Sequence, residues 1–595
     1  MERPATFLVP GTQPVIGRMF EAGIADDDAP SATAPPAAPV LPFVDAILAL
    51  VPGVSIVTAR QLTLERDRYL GDHNFVHAPD VKPLAACFPV VPMTVSLEVM
   101  AETAACLAPG CGLVGFETVA ARRWIAVEDG GSLALRIEGQ VVGAATPTEP
   151  VRVAVQIYTG DNRAAAIEGI VRLATSHPPA VPRLAPFAQP APQDATVLYR
   201  ERHLFHGTRF QGLCGPVHLS SSGASATLQV RSDSDWFAGE EHPQLLTDAA
   251  LLDCVGQLIA VWAGQHGQSA FPVGVARLDL IGPTPAPGAL LPICLRITGT
   301  QLKMLAADVE IGDGRGGLWA RINGWSAWLF GWAPRLVAFQ RDPAGTLLSE
   351  EQTMPEASAA LHCRSIGTAM LKNFDLSLLA RHYLHASEWA GYCALAGQAV
   401  RQRQWLLGRV AAKDAVRAWC GAKAVHPATF AVIHDAAGQP GLAHWPPPHA
   451  QQQQPNLPPH LQPVPHISIA HSGARAVGAA SDHPVGIDVE QIATRDAHWT
   501  AAVCTPAERI LLEQVHEQDR DAWLTRLWCA KEAFGKRLGT GVTGGPRRFE
   551  VLALAADYSV VMHDTVSCAS TRVLTSQEDG WMLAVDTGLP AGHVG

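Results

Sequence analysis

The first 340 residues repeat one order of elements, a largely apolar helix followed by strands in which apolar and polar residues alternate. Helical periodicity covers residues 95–107 in the first half and 245–262 in the second. The predicted strands are 133–138 and 151–157 in the first half, and 273–281, 293–302 and 305–311 in the second. One central helix with a following antiparallel sheet, duplicated in tandem, predicts an α+β fold.

The last 240 residues or so follow a different pattern. Residues 405–419 predict a helix on which Arg409, Lys413 and Arg417 share one face. Residues 485–492 predict a strand, and residues 523–538 predict a second helix.

Proline-rich stretches at residues 29–42, 177–192 and 445–465 predict extended linkers, because such compositions cannot bury a core. A softer boundary lies at residues 342–359.

Composition narrows the class of protein. Hydrophobic residues make up 48 % of the 595 residues, which predicts a globular chain with ample buried cores. The net charge of −11 argues against a general nucleic-acid binder. No membrane span or secretory signal is evident, and the 12 scattered cysteines form no CxxC pair. We therefore expect a cytoplasmic protein with reduced thiols.

Two motifs in the C-terminal part carry candidate chemistry. Asp488 and Glu490 lie on one face of the predicted strand, opposite Val485, Ile487 and Val489, and two adjacent carboxylates suit a hard divalent cation. Trp528, Glu532 and Lys536 fall on one helical stripe, with Lys531 beside it. Taken separately, each motif also fits ordinary surface residues: two exposed acids, or a Glu–Lys pair worth about 0.3–0.5 kcal/mol.

Together, in this order and about 40 residues apart, GIDVE and WxxKEAxxK resemble the signature of the 4′-phosphopantetheinyl transferases of the longer, two-lobed type. The basic helix 401–413, the turn 438–440 and the segment 467–473 fall in that family's order. The resemblance covers about residues 360–590. It implies a pseudo-twofold, two-lobed α+β domain.

This resemblance implies transfer of 4′-phosphopantetheine from coenzyme A to a serine of an acyl carrier protein. It implies Mg²⁺ held by Asp488, Glu490 and Glu532, with Glu532 also a candidate base for the serine proton. Lys531 would be catalytic and, with Lys536, would bind the diphosphate. The other implied coenzyme A contacts are Arg403, Arg409, Lys413, Gln439, Pro440, His471 and Ser472. The chain departs from the family at Ala470, where serine is usual, and at Gln439, where lysine or arginine is usual.

The N-terminal part also contains a set of candidate site residues. Leu70-Gly-Asp-His73 precedes Val91-Pro-Met-Thr-Val-Ser-Leu-Glu98, and Leu251-Leu-Asp-Cys-Val-Gly-Gln257 lies on the second predicted helix. A lone histidine is more often structural than catalytic, and a single DxxxQ occurs by chance on many helices. The set nevertheless resembles the double-hotdog dehydratase domains of polyketide synthases, especially those of enediyne and polyunsaturated-fatty-acid type. The segment 204–212 resembles the opening of their second hotdog, and the resemblance covers about residues 45–335.

The resemblance implies loss of water from a β-hydroxyacyl thioester on a carrier. His73 would remove the α-proton, Asp253 would protonate the leaving hydroxyl, and Gln257 would orient Asp253. Burial in an apolar tunnel is expected to raise the pKa of the aspartate and keep it protonated. Tyr199 and His206 are weaker neighbours. His77 stands where the family has glycine, and a His73–His77 metal pair is discounted because no third ligand is apparent.

The resemblances divide the chain into an extension at 1–42, hotdog halves at 43–176 and 195–340, linkers at 177–194 and 341–360, and a transferase domain at 361–595. Within the last, residues 441–465 are expected to be a disordered insert. The expected partner is an acyl carrier protein or carrier domain, with no nucleic acid and no membrane, and the resemblance allows a homodimer. Two alternatives stay open for the first part: a non-catalytic hotdog domain that docks the carrier or synthase, and a hotdog thioesterase.

Overall fold

The computed structural model describes residues 41–128, 130–143, 149–179, 192–354, 361–421, 425–445, 464–555, 557–588 and 590. The chain forms two compact units, one of residues up to 75 with 83–331 and one of residues 76–82 with 332–595. Most of the extension and of the expected insert lies outside the described residues. No helix within the described ranges is both long and apolar enough to cross a membrane.

An antiparallel sheet of 13 strands forms the first unit, in the order β1-β2-β4-β5-β6-β3-β10-β13-β12-β11-β9-β8-β7. The first six strands are β1 (Ala46–Val51), β2 (Ser55–Thr63), β3 (Gly112–Ala121), β4 (Ser132–Val141), β5 (Val151–Thr159) and β6 (Ile167–Ala174). The next seven are β7 (Gln193–Asp194), β8 (Leu213–Ser220), β9 (Gly223–Gln229), β10 (Ser269–Leu280), β11 (Leu290–Gln301), β12 (Met304–Gly312) and β13 (Leu318–Phe330).

Two long helices fill the core of this unit. They are α1 (Met93–Ala105) and α3 (Ala249–Gln265), with the short α2 (Ala195–Arg200) between them in the chain. Nearly every residue of α1 and most of α3 are buried, and their apolar side chains belong to one continuous hydrophobic cluster. The predicted repeat of one helix and one antiparallel sheet is thus confirmed.

The two half-sheets are joined by backbone hydrogen bonds. Strand β3 of the first half pairs with β10 of the second, with Glu117 opposite Arg277 and Val119 opposite Val275. Because this joint belongs to the ladder, the two halves share one sheet and one core.

The second unit contains two lobes of helices and antiparallel strands. The first lobe holds α4 (Pro334–Arg341), β14 (Glu350–Glu351), β15 (His362–Gly367), α5 (Leu376–Tyr383), α6 (Ala386–Ala394), α7 (Ala399–Trp419), β16 (Ala431–His434), β17 (Pro440–Ala443), β18 (His466–Ser472) and β19 (Arg475–Ser481). The second holds β20 (Gly486–Gln491), α8 (Ala497–Val503), α9 (Pro506–Glu513), α10 (Arg520–Arg537), β21 (Phe549–Leu554), β22 (Val560–Asp564), β23 (Ser570–Glu578) and β24 (Trp581–Asp586).

Three sheets run through these lobes, in the orders β14-β15-β19-β18, β16-β17 and β20-β24-β23-β22-β21. The long helix of each lobe lies close against a strand at a glycine. A β-carbon on Gly478 would come within 2.4 Å of the backbone of Ala412 in α7. One on Gly486 would come within 1.8 Å of the Ala533 carbonyl in α10. Any larger residue would push the helix off the sheet.

A buried lysine organises the first lobe. Lys413 of α7 is fully buried, and its Nζ lies 2.5 Å from Glu388 Oε2. The same ammonium donates to the carbonyl oxygens of Tyr383, Pro427 and Phe430. Glu388 closes the capping box at the start of α6, and its second oxygen accepts from Val432 N in β16.

The second lobe repeats this arrangement. Lys531 of α10 is fully buried, with Nζ 2.8 Å from Glu508 Oε2 and within hydrogen-bond distance of the Val503 and Pro546 carbonyls. Glu508 closes the capping box of α9, and its second oxygen accepts from Val551 N in β21. The same contacts in the same order support the pseudo-twofold organisation expected of this part.

The boundary between the units differs from the expected one at residues 340–361. Residues from 332 onward belong to the second unit, because Phe339 of α4 stacks on Tyr383 with 5.0 Å between ring centroids. The expected linkers also contain short strands, β7 in residues 177–194 and β14 in residues 341–360. Residues 441–443, placed in the expected insert, complete β17.

We predict that Lys531→Met destabilises the second unit by about 3–5 kcal/mol, because it leaves the Glu508 carboxylate buried and unpaired. Adding Glu508→Gln should recover most of the loss, since the amide keeps an acceptor but no charge. Calorimetric unfolding of the full chain measures this, with the exposed Lys372→Met as matched control. If Lys531→Met has the same free energy of unfolding as the Lys372→Met control, Lys531 does not form the buried ion pair with Glu508.

Candidate active sites

A partly open cavity of about 100 Å³ lies in the first unit, between the two long helices and the joined sheet. Its walls are mostly apolar and aromatic, including Phe75, Trp124, Phe205 and Phe271. The polar side chains His73, His206, Asp253 and Gln257 also line it. An apolar chamber with few convergent polar groups is typical of a small-molecule site.

His73 follows a 3₁₀ turn of residues 68–72, just before α1. Its Nδ1 lies 2.7 Å from the Val90 carbonyl oxygen, which can only accept a hydrogen bond. Neutral His73 therefore carries its proton on Nδ1 and keeps a lone pair on Nε2. Burial lowers the pKa of His73 from 6.5 to about 4, so the imidazole is neutral and basic at Nε2 near pH 7.

The turn that holds His73 is locked to the loop that holds His206. Asp72 Oδ2 accepts hydrogen bonds from Arg209 N at 2.8 Å and from Arg209 Nη1 at 3.1 Å. Gly207 N donates to Asp72 O at 2.7 Å. A β-carbon on Gly207 would lie 2.4 Å from the Asp72 carboxyl, so only glycine fits there. This contact fixes the two histidines with 5.3 Å between ring centroids.

Asp253 and Gln257 lie one turn apart on α3, as the spacing predicts. Gln257 Nε2 donates to Asp253 Oδ2 at 2.9 Å and to the Phe210 carbonyl at 2.8 Å. The Tyr199 hydroxyl donates to Gln257 Oε1 at 2.5 Å. Each polar atom of the glutamine is thus engaged, which orients the carboxyl group into the cavity.

From the sequence, His206 is expected to be only a weaker neighbour of the site, but the structure places it beside Asp253. Its Nε2 lies 3.2 Å from Asp253 Oδ2, so the two side chains are in direct contact. Burial raises the pKa of Asp253, as expected, but the His206 imidazole and the Gln257 amide more than offset it. The net pKa of Asp253 is below its ordinary value, so the expected protonated aspartate is corrected to a carboxylate paired with His206.

Glu98, in the predicted helix-start motif, anchors the approach to α3. Its two carboxylate oxygens accept from Leu246 N at 2.6 Å and Thr247 N at 2.7 Å. Burial raises the pKa of Glu98 to about 7. This residue positions the start of the helix that carries Asp253 and does not line the cavity.

The second candidate site lies where β20 meets α10. Ile487 and Val489 enter the core while Asp488 faces the other way, as the alternation predicts. Asp488 Oδ1 accepts from Lys536 Nζ at 2.8 Å. Its other oxygen, Oδ2, is buried, and within the described ranges it accepts no hydrogen bond from an N–H or O–H group, although the Cys529 thiol lies beside Asp488. Burial raises the pKa of Asp488.

Glu490 and Glu532 complete the acidic part of this site. Glu490 Oε2 accepts a 2.6 Å hydrogen bond from the Ser472 hydroxyl, so Ser472 orients a carboxylate. Glu532 on α10 is half-buried, and burial raises its pKa while Lys536 opposes that rise. Asp488 and Glu490 are close enough to Glu532 to raise its pKa further.

The expected phosphate contacts are partly assembled around these carboxylates. The exposed His471, at the end of β18, lies near Lys536 and both acids of β20. Gln439, before Pro440 at the tip of the β16–β17 hairpin, reaches Gly539 just after α10.

Three other predicted contacts are corrected. The ammonium groups of Lys531 and Lys413 form the buried ion pairs with Glu508 and Glu388 described above. Neither can therefore reach a diphosphate or a 3′-phosphate. Arg409 is nearly buried, pairs with Glu388 at 3.2 Å and stacks on Trp405. Arg403 is exposed on α7 and stays a prediction.

The residues present fit a hard divalent cation. No N–H or O–H group of the described residues donates to the buried Oδ2 of Asp488, and carboxylate oxygens are the ligands such cations prefer. Asp488, Glu490 and Glu532 would hold the ion.

Parts of both units match known families. Residues 484–585 match the 4′-phosphopantetheinyl transferase superfamily, and residues 175–328 match the polyketide synthase dehydratase N-terminal domain. The chain thus carries a phosphopantetheinyl transferase domain at its C-terminal end and a polyketide synthase dehydratase domain before it.

The curated relatives are transferases. The chain is 36 % identical to the 4′-phosphopantetheinyl transferase psf-1 of Bacillus pumilus over 128 residues, 21 % of this chain and 54 % of that protein. It is 30 % identical to a 4′-phosphopantetheinyl transferase of Bacillus subtilis over 87 residues, 14 % of this chain and 39 % of that protein. The chain therefore spans about half the length, or less, of these relatives.

The similar solved structures are dehydratase domains. The domain from the CurF module of curacin polyketide synthase aligns with a TM-score of 0.38 at 14 % identity, over 49 % of this chain and 98 % of that one. The domain of a mycocerosic acid synthase-like polyketide synthase aligns with a TM-score of 0.36 at 17 % identity, over 51 % of this chain and 99 % of that one.

We predict that His73 stays neutral over the whole physiological pH range, because burial holds its pKa at about 4. The ¹³C shift of its Cε1, assigned by difference from the His73→Gln variant, should not move between about pH 5.5 and 8. Exposed histidines of the same sample serve as internal controls. A midpoint near that of an ordinary histidine would contradict the buried, Nδ1-protonated state.

Proposed function

We propose that the C-terminal unit transfers 4′-phosphopantetheine from coenzyme A to a serine hydroxyl of an acyl carrier protein. The observation that carries this proposal is the cluster of Asp488, Glu490, Glu532 and Lys536, with a buried Asp488 oxygen to which no N–H or O–H group of the described residues donates, inside the region that matches the transferase superfamily. The proposed partner is a carrier protein or carrier domain, and coenzyme A is the co-substrate.

The chain's own residues account for the steps around the diphosphate. A bound Mg²⁺ would neutralise charge that builds on the diphosphate oxygens. Glu532 accepts the proton of the attacking serine. Lys536 donates to the leaving group's oxygens, and His471 lies beside it as a further donor. Ser472 holds Glu490 in place.

The transferase is tested by the mass of an apo carrier protein after incubation with this protein, coenzyme A and Mg²⁺. We predict a phosphopantetheine mass gain, slowed at least 100-fold by Glu532→Ala because the base and a cation ligand are both lost. Glu513→Ala, an exposed glutamate on α9, is the matched control. Equal rates for the two variants would refute the assignment of Glu532.

We further propose that the first unit dehydrates β-hydroxyacyl thioesters borne by such a carrier. His73 Nε2 removes the α-proton, and the single proton shared between the Asp253 carboxylate and the His206 imidazole passes to the departing hydroxyl, which leaves as water. The support for this step is the juxtaposition of a neutral base from one half and a proton-sharing pair from the other, inside an apolar cavity.

The dehydratase is tested with a β-hydroxyacyl carrier and mass detection of the enoyl product. Asp253→Asn should abolish product, because its amide cannot deliver the proton, while the exposed Asp161→Asn should not matter. Thermal unfolding of each variant checks that its first unit is folded. Carrier binding without turnover would instead favour a docking domain, and free acid would favour a thioesterase.

A homodimer is also proposed. Strand β1 forms an edge of the large sheet, and Leu48, Leu50 and Val51 are about half exposed along it. An unpaired apolar edge is a template for strand pairing, and a second copy about a twofold axis would cover it.

A further inference from the structure

Three side chains in the first unit form a potential ligand set for a transition metal. His73, His206 and Asp253 each offer one ligand atom, and these atoms all lie within 4.8 Å of one another. The three residues come from a turn, a loop and a helix that are far apart in sequence. The sequence alone, which offered only His77 as a partner for His73, could not show this set.

The surroundings of His73 and Asp253 suit metal ligands, whereas the Nδ1 of His206 is buried without a hydrogen-bond partner among the described residues. The Nδ1 of His73 is held by the Val90 carbonyl, which leaves the Nε2 lone pair free for a cation. Gln257 donates to Asp253 and is itself fixed by Tyr199 and Phe210. Histidine and carboxylate ligands in metal sites are characteristically held by such outer hydrogen bonds, which fix the tautomer and the orientation.

The spacing is also close to what a small cation requires. Ligand bonds of 2.0–2.1 Å in a tetrahedral site put ligand atoms roughly 3.3 Å apart. His206 Nε2 and Asp253 Oδ2 are already 3.2 Å apart. The His73 ring would need to approach them by at most about 1.5 Å, given the 4.8 Å limit.

The carboxylate of Asp253 favours a cation over an anion in this cavity. Arg123 also lines the cavity, but its guanidinium donates to the Ala164 carbonyl at 2.6 Å. Two nitrogen ligands and one oxygen ligand with an open fourth position are preferred by Zn²⁺ and its neighbours over Mg²⁺.

We propose that His73, His206 and Asp253 bind a Zn²⁺-type cation, with the fourth position open to the cavity. The bound cation is coordinated by the Nε2 lone pair of His73 and by the carboxylate of Asp253. Metal binding and removal of an α-proton at this site therefore exclude each other, and the bound cation inhibits any acid–base chemistry in the cavity. The binding site itself does not rest on the proposed dehydratase function.

The test uses the full-length protein stripped with EDTA and kept in excess Mg²⁺, which saturates the oxygen ligands of the second unit. Titration with Co²⁺, a spectroscopic substitute for Zn²⁺, should give visible ligand-field bands that saturate at one equivalent. His206→Ala should abolish the bands, and the near-isosteric Asp253→Asn should weaken binding at least tenfold. His203→Ala, which removes an exposed histidine of the same loop, should leave binding unchanged.

Bands that are absent in the wild type, or that persist unchanged in His206→Ala and Asp253→Asn, would overturn the proposal. Thermal unfolding of each variant shows whether it is folded. If His206→Ala does not fold, Asp253→Asn still tests the proposal. Micromolar Zn²⁺ should also slow dehydration at least tenfold, reversibly with EDTA. If the wild type does not dehydrate at all, the proposed function fails, but the Co²⁺ titration still decides this inference.

Discussion

A buried ammonium group needs a counter-charge and several acceptors, and this requirement organises the second unit. Lys413 and Lys531 each draw together a capping-box glutamate, the end of a preceding helix and the loop after the long helix. The same glutamate then accepts a backbone hydrogen bond from the next strand. One ion pair thus connects four segments in each lobe, and breaking it leaves a charge with no solvent to receive it.

The fold of the first unit brings side chains from its two halves into one cavity. The β3–β10 ladder fixes the half-sheets, and the Asp72–Arg209 contact fixes the loops at the cavity. His206 then meets Asp253 while His73 faces both. His73 is held by a backbone carbonyl and Asp253 by the Gln257 hydrogen bonds, so each side chain has a defined orientation before any ligand enters the cavity.

Much of this organisation follows from the sequence. Periodicity alone predicts the duplicated helix-and-sheet pattern, and residue alternation predicts that Asp488 turns away from the core. Burial and ion pairing were not predictable: Lys413 and Lys531 look like surface cations on a helical stripe, yet their partners Glu388 and Glu508 lie more than 20 residues away. Likewise, the effect of His206 on Asp253 depends on a contact between a loop and a helix that no local pattern encodes.

The continuous sheet has a consequence for how this chain can change over evolutionary time. If the cavity were built by two identical subunits, every substitution would occur twice, once on each side of the symmetry axis. Here the histidine belongs to one half and the aspartate to the other, within a single polypeptide. Each half can therefore change separately, and the cavity can accommodate an asymmetric ligand without a compromise between two equal sites.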